Sequence, residues 1–477
     1  MKTRIVTFLL LVAMPGGLLL SASANDPISA GAARIDISPT GPVQLINVSD
    51  QGESSEIGQQ LFARALAIGG DEHLLVLLSF DGIGIPASLA ESVAVDLKSV
   101  FPFLTRDRIA ICATHTHWAP HLKDLLGNIF GGPLPGDRQK RVDEYTEFLR
   151  DRLVEVARQA IATREPSLIT WTNGGRVTFA ANRRMEAGGQ LIRDEEKGLM
   201  ITWNPNAPVD HTLPVMAIRD AASGQLRALH FSYACHNVAI TGATAISKFP
   251  NAVHGDWAGL AQEELERRHR DIVAIATIGC GGDQRPDFCG GVDTAMSHAR
   301  EICDEIDRLI RRGEWQPIQG PAVTKLERTV LPLAPSPDPE NLKSLAETEG
   351  KNRSQVARSF VALKLLRLLE QGKQPPTGVP FIAQSWQFPA GGPTFIFLSG
   401  EVCIDYQLRI KKEYGDHTWP IAYANATPCY IVSKRMLEKG GYESGNSMFY
   451  YGWLRPLKAV AEERVMETVS RVLKKAR

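Results

Sequence analysis

The sequence predicts an α/β fold, because apolar runs of strand length alternate with longer stretches whose apolar residues recur at helical spacing. Strands are predicted at residues 74–80, 109–112, 229–234, 272–278 and 395–398, and helices at 89–100, 145–160, 257–269, 298–310, 402–412 and 457–474. A Pro-rich stretch at 331–340 is followed by a further strand and helix, so we interpret it as a surface excursion rather than a domain boundary.

Composition indicates a globular protein, although length alone would suggest two or three domains. The chain has 477 residues, 44% of them hydrophobic, which is enough for a large core. Large α/β enzymes reach this length as one domain, and we predict one over residues 25–477. Lys plus Arg and Asp plus Glu both number 53, so the formal net charge is zero. A neutral chain gives no electrostatic reason to expect nucleic acid as a partner.

The N-terminal residues 1–24 have the pattern of a secretory signal peptide. Lys2 and Arg4 precede an apolar run at 5–20, and Ala-Ser-Ala at 22–24 offers a small-x-small cleavage site. A membrane anchor is the alternative, but a Pro-Gly-Gly break within the run argues against a retained helix. We therefore expect a secreted or periplasmic protein.

The cysteine pattern excludes two kinds of site. The chain has 7 cysteines, too sparse for a disulfide scaffold, and no C-x-x-C that would indicate a thiolate zinc knuckle. Cys280 and Cys289 bracket a Gly-rich loop, and whether they pair stays open.

The first candidate site is the His-Thr-His run at His115 and His117. It directly follows the strand predicted at 109–112, and residues two apart on a strand point to the same side. Ligands collect at the carboxyl ends of strands, and neutral imidazole is a good zinc ligand. Two hydrogen-bonded structural histidines are the alternative interpretation.

Further candidates follow later strands. His236 is a candidate nitrogen ligand or a buried core histidine, and Glu401 a metal ligand or a carboxylate at a helix start. Asp283 lies in a Gly-rich loop that allows close backbone approach. Tyr430 and Tyr442 lie in turn-rich surroundings.

Taken in order, these motifs resemble those of the neutral/alkaline non-lysosomal ceramidases, over almost the whole catalytic domain of that family. The matching segments are the opening run 31–39, Thr-His-Thr-His at 114–117, Asn182-Arg183, Val-Asp at 209–210, Cys-His-Asn at 235–237, Ser-Gly-Glu at 399–401, and 424–431 with Tyr442 beyond it. The resemblance implies stacked mixed β-sheets flanked by helices, an α/β/β/α arrangement.

The resemblance also implies one zinc ion per chain, held by His115, His236, Glu401 and Tyr430. Zinc with one position open to water is the hydrolytic arrangement, in which the metal lowers the pKa of its water for attack on an amide carbonyl. The expected substrate is a small or lipid-like N-acyl compound, with peripheral contact to a membrane surface as an option.

The remaining roles follow from the same resemblance. His117 becomes an acid/base or oxyanion donor at the substrate. Arg183 and Tyr442 bind polar groups of the substrate or steady the developing oxyanion. Asp283, in the segment that matches the family's G-D-V-S-P-N loop, joins this catalytic set.

The chain departs from the family at several points. Arg285 stands where the family has serine, which argues against a serine acyl-enzyme and adds a cation. That cation is expected to select an anionic substrate or to pair with Asp283 or Asp287. Trp118 replaces a serine, and the family's C-terminal immunoglobulin-like domain is absent from this sequence. These departures argue against ceramide itself as the substrate.

Two other functions stay open at this point. An H-x-H run after a strand also occurs in two-metal amidohydrolases, which need further histidines and a bridging carboxylate or lysine. A non-catalytic zinc-containing binding protein is the other alternative.

Overall fold

The structure, a computed structural model, describes residues 26–46, 52–184, 192–194, 199–201, 204, 206–241, 252–350, 352–389 and 391–473. The predicted signal peptide at 1–24 lies outside these ranges. Within them, no helix combines the length and apolarity needed to cross a membrane.

Strands and helices alternate through most of the described chain. The strands are β1 (Ile28–Asp36), β2 (Val43–Gln44), β3 (Glu53–Ser54), β4 (Phe62–Ile68), β5 (Leu75–Phe80), β6 (Ile109–Ala113), β7 (Glu165–Gly174), β8 (Ala180–Asn182), β9 (Ile192–Asp194), β10 (Leu199–Ile201), β11 (Leu213–Asp220), β12 (Leu226–Tyr233), β13 (Val273–Ile278), β14 (Gln284–Pro286), β15 (Phe288–Cys289), β16 (Gln316–Pro317), β17 (Val323–Pro332), β18 (Gly378–Gln387), β19 (Thr394–Leu398), β20 (Glu401–Val402), β21 (Thr418–Ile421) and β22 (Tyr430–Ile431). The α-helices are α1 (Ala87–Val100), α2 (Arg138–Ala162), α3 (Asp256–Arg268), α4 (Val292–Arg312), α5 (Pro339–Glu347), α6 (Arg353–Glu370), α7 (Ile404–Tyr414), α8 (Lys434–Lys439), α9 (Ser447–Tyr450) and α10 (Ala461–Leu473).

Two mixed sheets form the centre of the molecule. The larger is nine-stranded, in the order β13-β12-β11-β7-β1-β4-β5-β6, with β16 beside β7. Its pairs are antiparallel except for β12 with β13 and β5 with β6. The second sheet has the order β17-β18-β19-β21, with β19 parallel to β21. The strands on either side of the Pro-rich stretch, β17 and β18, pair with each other.

The alternation of side chains along each strand produces the layers. In β4, Ala63, Ala65 and Ala67 join the apolar cluster of α1 and α2, whereas Leu66 and Ile68 join the cluster between the two sheets. That inter-sheet cluster also contains the aromatic residues of the smaller sheet. Helices α7 and α10 cover the smaller sheet's outer face, and α3 and α4 cover the rest of the larger one. The predicted α/β/β/α arrangement is confirmed.

Two local features refine the sequence predictions. The helix predicted at 402–412 begins two residues later, at Ile404, because Glu401 and Val402 form strand β20. All seven cysteines are buried free thiols, so Cys280 and Cys289 do not pair.

Candidate metal centre and active-site cavity

His115 lies in a strained turn just beyond β6. The strand ends at Ala113, and His115 has a φ of 60°, in the left-handed region that non-glycine residues rarely adopt. Its Nδ1–H donates to the carbonyl of Ile83 at 2.6 Å, which fixes the ring and directs Nε2 towards the centre. His115 and His117 both line one cavity, as predicted. The reason differs from the predicted one, because both residues lie beyond the end of β6 and the left-handed turn sets the direction of the His115 side chain.

His236 approaches from the end of β12. Its backbone N–H donates to the carbonyl of Gln284 at 3.2 Å, and its Nδ1–H donates to that of Gly281 at 2.7 Å. The Gly-rich loop therefore holds this imidazole from two sides, with Nε2 aimed at the centre. Glycine is required at Gly282, where a Cβ would lie 2.6 Å from the carbonyl oxygen of Glu401.

Glu401 and Tyr430 enter through paired short strands. Strand β20 runs parallel to β22, with Glu401 opposite Tyr430. The Oε2 atom of Glu401 lies 3.1 Å from Nε2 of His115 and 3.3 Å from Nε2 of His236. The Oη atom of Tyr430 lies 3.3 Å from the same His236 nitrogen.

These spacings fit a tetrahedral metal ion. Zinc bonds of about 2.0–2.1 Å correspond to ligand-to-ligand edges of about 3.3–3.4 Å. The donor separations between Glu401, His236 and Tyr430 match such edges. The Nε2 atom of His117 lies 3.4 Å from that of His115, so the three histidines also form a group that could hold a metal.

The protonation states explain why a cation belongs here. Burial lowers the pKa of His236 to about 3 and holds that of His117 well below its usual value, so both are neutral at pH 7. Burial raises the pKa of Glu401, but His115 and His236 outweigh it and hold that pKa well below its usual value. Its Oε2 has no hydrogen-bond donor among the described residues. A carboxylate oxygen and two imidazole nitrogens that converge within 3.3 Å are stabilised by a cation bound between them.

Arg183 supports the side of the centre formed by Tyr430. Its guanidinium donates to Tyr430 Oη at 3.1 Å and to Glu443 Oε1 at 2.9 Å. It also lies 5.6 Å from the ring centroids of both Tyr430 and Tyr442. Tyr442, 44% exposed, lines the cavity beside them.

Asp283 lies behind the centre rather than in the cavity lining. Its carboxylate is buried and accepts from the backbone N–H of Ile404 at 2.8 Å and from the side-chain amide of Asn182 at 2.9 Å. These contacts fasten the Gly-rich loop to the start of α7. The structure thus places Asp283 outside the described cavity lining, where it positions the Gly-rich loop.

Two tyrosines of the centre were missed from sequence. Tyr451 donates a short hydrogen bond to Glu401 Oε1, and the Tyr423 ring stacks on His115 with centroids 4.2 Å apart. Tyr451 belongs to none of the matched motifs, whereas Tyr423 directly precedes Ala424-Asn425, at the tyrosine of the family's Y-A-N segment, and could have been found there. A tyrosine's role here depends on the tertiary fold.

The centre opens into a cavity of about 440 Å³, within the size range of small-molecule sites. One part of the lining is apolar: Ile46, Ile83, Leu126, Ile129 and Val238. The other part contains the centre itself, three arginines and four tyrosines. Among the described residues Glu401 is the one carboxylate in the lining.

The fold is shared with solved ceramidase structures. The neutral ceramidase of Pseudomonas aeruginosa superposes with a TM-score of 0.67 over 95% of this chain and 76% of its own, at 17% identity. A ceramidase complexed with C2 superposes with a TM-score of 0.67 over 94% of this chain and 77% of its own, at 16% identity. No protein-family model and no curated protein sequence matches the chain. The predicted fold resemblance is therefore confirmed, at identities that establish the fold alone.

Proposed function

We propose that this protein is a zinc-dependent amide hydrolase that cleaves N-acyl linkages, as ceramidases do. The observation that carries this proposal is the convergence of donor atoms from His115, His236, Glu401 and Tyr430, with neighbouring donors 3.1–3.3 Å apart, in the lining of an open cavity. The shared fold of the ceramidase structures supports it.

A bound zinc ion would act as a Lewis acid on the attacking water and on the substrate carbonyl. The chain's own residues supply the proton transfers and the orientation. His117 is neutral and beside the centre, so we assign it the general base that takes a proton from water. The water oxygen bonds to the carbonyl carbon, the C–N bond breaks, and His117 returns the proton to the leaving nitrogen. The products are an amine and a carboxylic acid, which then loses its remaining proton to solvent to give the carboxylate.

Arg183 stabilises the charge that develops on the carbonyl oxygen. Its positive charge lies against Tyr430 and Tyr442 at the cavity, and Glu443 fixes its orientation. A preorganised cation of this kind acts more strongly on the transition state than on the neutral amide.

Two alternatives make different predictions about the same centre. A two-metal site needs a second set of donors, whereas one group of metal-binding residues occurs in the described chain. A closed, non-catalytic zinc site needs no cavity, whereas this centre lines one. Both observations favour the single-metal hydrolase.

The decisive experiment combines metal analysis with a substrate screen. We expect about one zinc per chain by mass spectrometry, and turnover of a substrate among N-acyl lipids, N-acyl amino acids and acyl sugars. Glu401→Gln should lower zinc affinity by at least about 100-fold and abolish turnover. Glu305→Gln is the matched control, because Glu305 is buried on α4 away from the cavity. A wild-type protein without zinc, or a Glu401→Gln variant with unchanged zinc, would exclude the proposal.

We further propose that the protein is exported and cleaved after residue 24. The basic start, the apolar run and the Ala-Ser-Ala site support this. N-terminal sequencing of the protein from the extracytoplasmic fraction should begin at Asn25. Recovery of the uncleaved chain in the cytoplasm would contradict it.

A further inference from the structure

Arg285 lies next to the metal centre, on strand β14. That strand pairs with β8, with Arg285 opposite Ala181. The preceding residue, Gln284, accepts the backbone hydrogen bond of His236. Arg285 also lines the cavity. A substrate held at His236 is therefore within reach of this guanidinium.

The guanidinium of Arg285 is incompletely paired. Its Nε donates to the Sγ atom of Cys289 at 3.0 Å, and burial raises the pKa of that thiol to about 11, so it is neutral. Its Nη2 atom is buried and has no partner among the described residues. Buried cations are normally paired, because an unpaired one costs free energy.

The acidic residues near Arg285 are engaged elsewhere. Asp283 accepts from Ile404 and Asn182, and Asp287 accepts from the backbone N–H of Phe288 at 2.8 Å. The described ion pairs do not include Arg285, so the expected pairing with Asp283 or Asp287 is wrong.

Asp256 is a further acid near Arg285, but backbone hydrogen bonds rather than an ion pair hold its carboxylate. Its buried carboxylate accepts from the backbone N–H groups of Ala239, Ile240 and Trp257 at 2.7–3.0 Å. The contrast with Arg183 is direct, because Arg183 is paired with Glu443. Arg285 thus lines the cavity without an ion pair among the described residues; its charge acts at longer range on Asp256, where it partly offsets the rise in pKa that burial causes.

We propose that Arg285 selects substrates whose amine part carries a compact anion, such as the carboxylate of an N-acyl amino acid. This inference rests on the proposed function and names its substrate class. The apolar lining, with Ile46, Leu126 and Ile129, takes the acyl chain, while the anion pairs with the part of the Arg285 guanidinium that lines the cavity. The carboxylate of Glu401, the one acid in the described lining, would be offset by a bound metal ion and is the same in wild type and in every Arg285 variant.

Three substrates with the same acyl chain test the selection. They are N-lauroylglycine (a carboxylate), N-lauroylphosphoethanolamine (a phosphate) and N-lauroylethanolamine (neutral). We expect kcat/KM for at least one anion to exceed that for the neutral amide by about 10- to 100-fold, the range of a hydrogen bond to a charged group. A preference for either anion supports the proposal and identifies the anion; equal values for all three overturn it.

Variants then assign the preference to one residue. Arg285→Met should bring the ratio of anionic to neutral kcat/KM close to one, mainly through KM, and Arg285→Lys should keep part of it. Arg158→Met, an exposed change on α2, should leave the ratio as in wild type. A preference that survives in Arg285→Met overturns the proposal, and Arg285→Lys gives the answer if the methionine variant does not fold.

Binding without turnover separates this inference from the proposed hydrolysis. Calorimetry with N-lauroylglycine and zinc-depleted protein should show about tenfold or more weaker binding to Arg285→Met than to wild type. Anion-selective binding without turnover of any substrate would support Arg285 and exclude the hydrolase. Turnover without anion selectivity would support the hydrolase and exclude the proposed role of Arg285.

Discussion

Glu401 and Tyr430 each place an oxygen atom 3.3 Å from Nε2 of His236. They do so because strands β20 and β22 are parallel and the two residues are directly paired. Paired residues of neighbouring strands extend their side chains to the same face. A two-residue strand pair thus brings a carboxylate and a phenol, far apart in sequence, to one point.

The first prediction concerns the phenol as the fourth metal donor. Tyr430→Phe should lower zinc affinity by about 10- to 100-fold, measured by competition with a chelator, because one donor is lost. Burial raises the pKa of Tyr430 well above its usual value, so the ion must displace its proton on binding and affinity should rise with pH. Tyr406→Phe is the control, since Tyr406 is equally buried but donates to the carbonyl of Val432. Unchanged affinity in Tyr430→Phe would remove it from the ligand set.

The second prediction separates the two members of the His-Thr-His run. His115→Gln should lose zinc, because Nε2 of His115 lies 3.1 Å from the carboxylate of Glu401. His117→Gln should keep zinc and lose about 10²- to 10⁴-fold in kcat, the contribution of a general base. Zinc content by mass spectrometry and steady-state rates measure both. Loss of zinc in His117→Gln, with retention in Tyr430→Phe, would give the fourth position to His117.

Apolar runs of strand length predicted the α/β class, and the resemblance predicted the layered arrangement of the sheets; the structure has both. Strand-length apolar runs reflect burial on both faces, and β4 and β5 contribute to two apolar clusters each. His236 and Glu401 were found because each follows such a strand. The order of the motifs then linked residues that no local pattern connects.

The remaining errors concern features set by tertiary contacts. The orientation of His115 depends on a left-handed turn and on the carbonyl of Ile83, neither of which strand periodicity encodes. Tyr451 reaches Glu401 from the loop after α9, with no motif to mark it. Asp283 follows the family's loop pattern, yet its hydrogen bonds are to the backbone of Ile404 and to Asn182. Side-chain partners at long sequence separation are not readable from spacing.

The third prediction concerns stability in acid and a histidine between the two sheets. His230 is fully buried; its Nε2 pairs with the hydroxyl of Thr277 at 3.0 Å, and the rings of Phe395 and Trp419 pack against it. Burial lowers its pKa from 6.5 to about 3. The unfolded chain therefore binds more protons between these values, and stability falls as the pH drops from about 6.5 towards 3.

The matched variant isolates this contribution. His230→Gln keeps a hydrogen-bonding amide but does not titrate. Between pH 6 and 4, the unfolding free energy of wild type should fall faster than that of His230→Gln by up to about 1.4 kcal/mol per pH unit, in urea titrations. Parallel pH dependences would show that His230 is not held neutral by burial.

The last prediction concerns stability: Arg285 should lower the free energy of unfolding of the ligand-free protein. Its Nη2 is buried without a partner among the described residues, and an unsatisfied buried polar group costs about 1–3 kcal/mol. Arg285→Met keeps much of the side-chain volume and removes the charge, so Tm should rise by about 1–3 °C in scanning calorimetry. Arg158→Met should leave Tm unchanged, because that side chain is 54% exposed.

Adding the anionic ligand should make the Tm of wild type higher than that of Arg285→Met. N-lauroylglycine should raise the Tm of zinc-depleted wild type more than that of Arg285→Met, because a ligand stabilises the state that binds it. N-lauroylethanolamine should raise both equally. If Arg285→Met instead lowered Tm by several degrees, Arg285 would have a structural role and its charge would already be satisfied. A residue whose removal stabilises the free protein but weakens the liganded one is retained for binding rather than for folding.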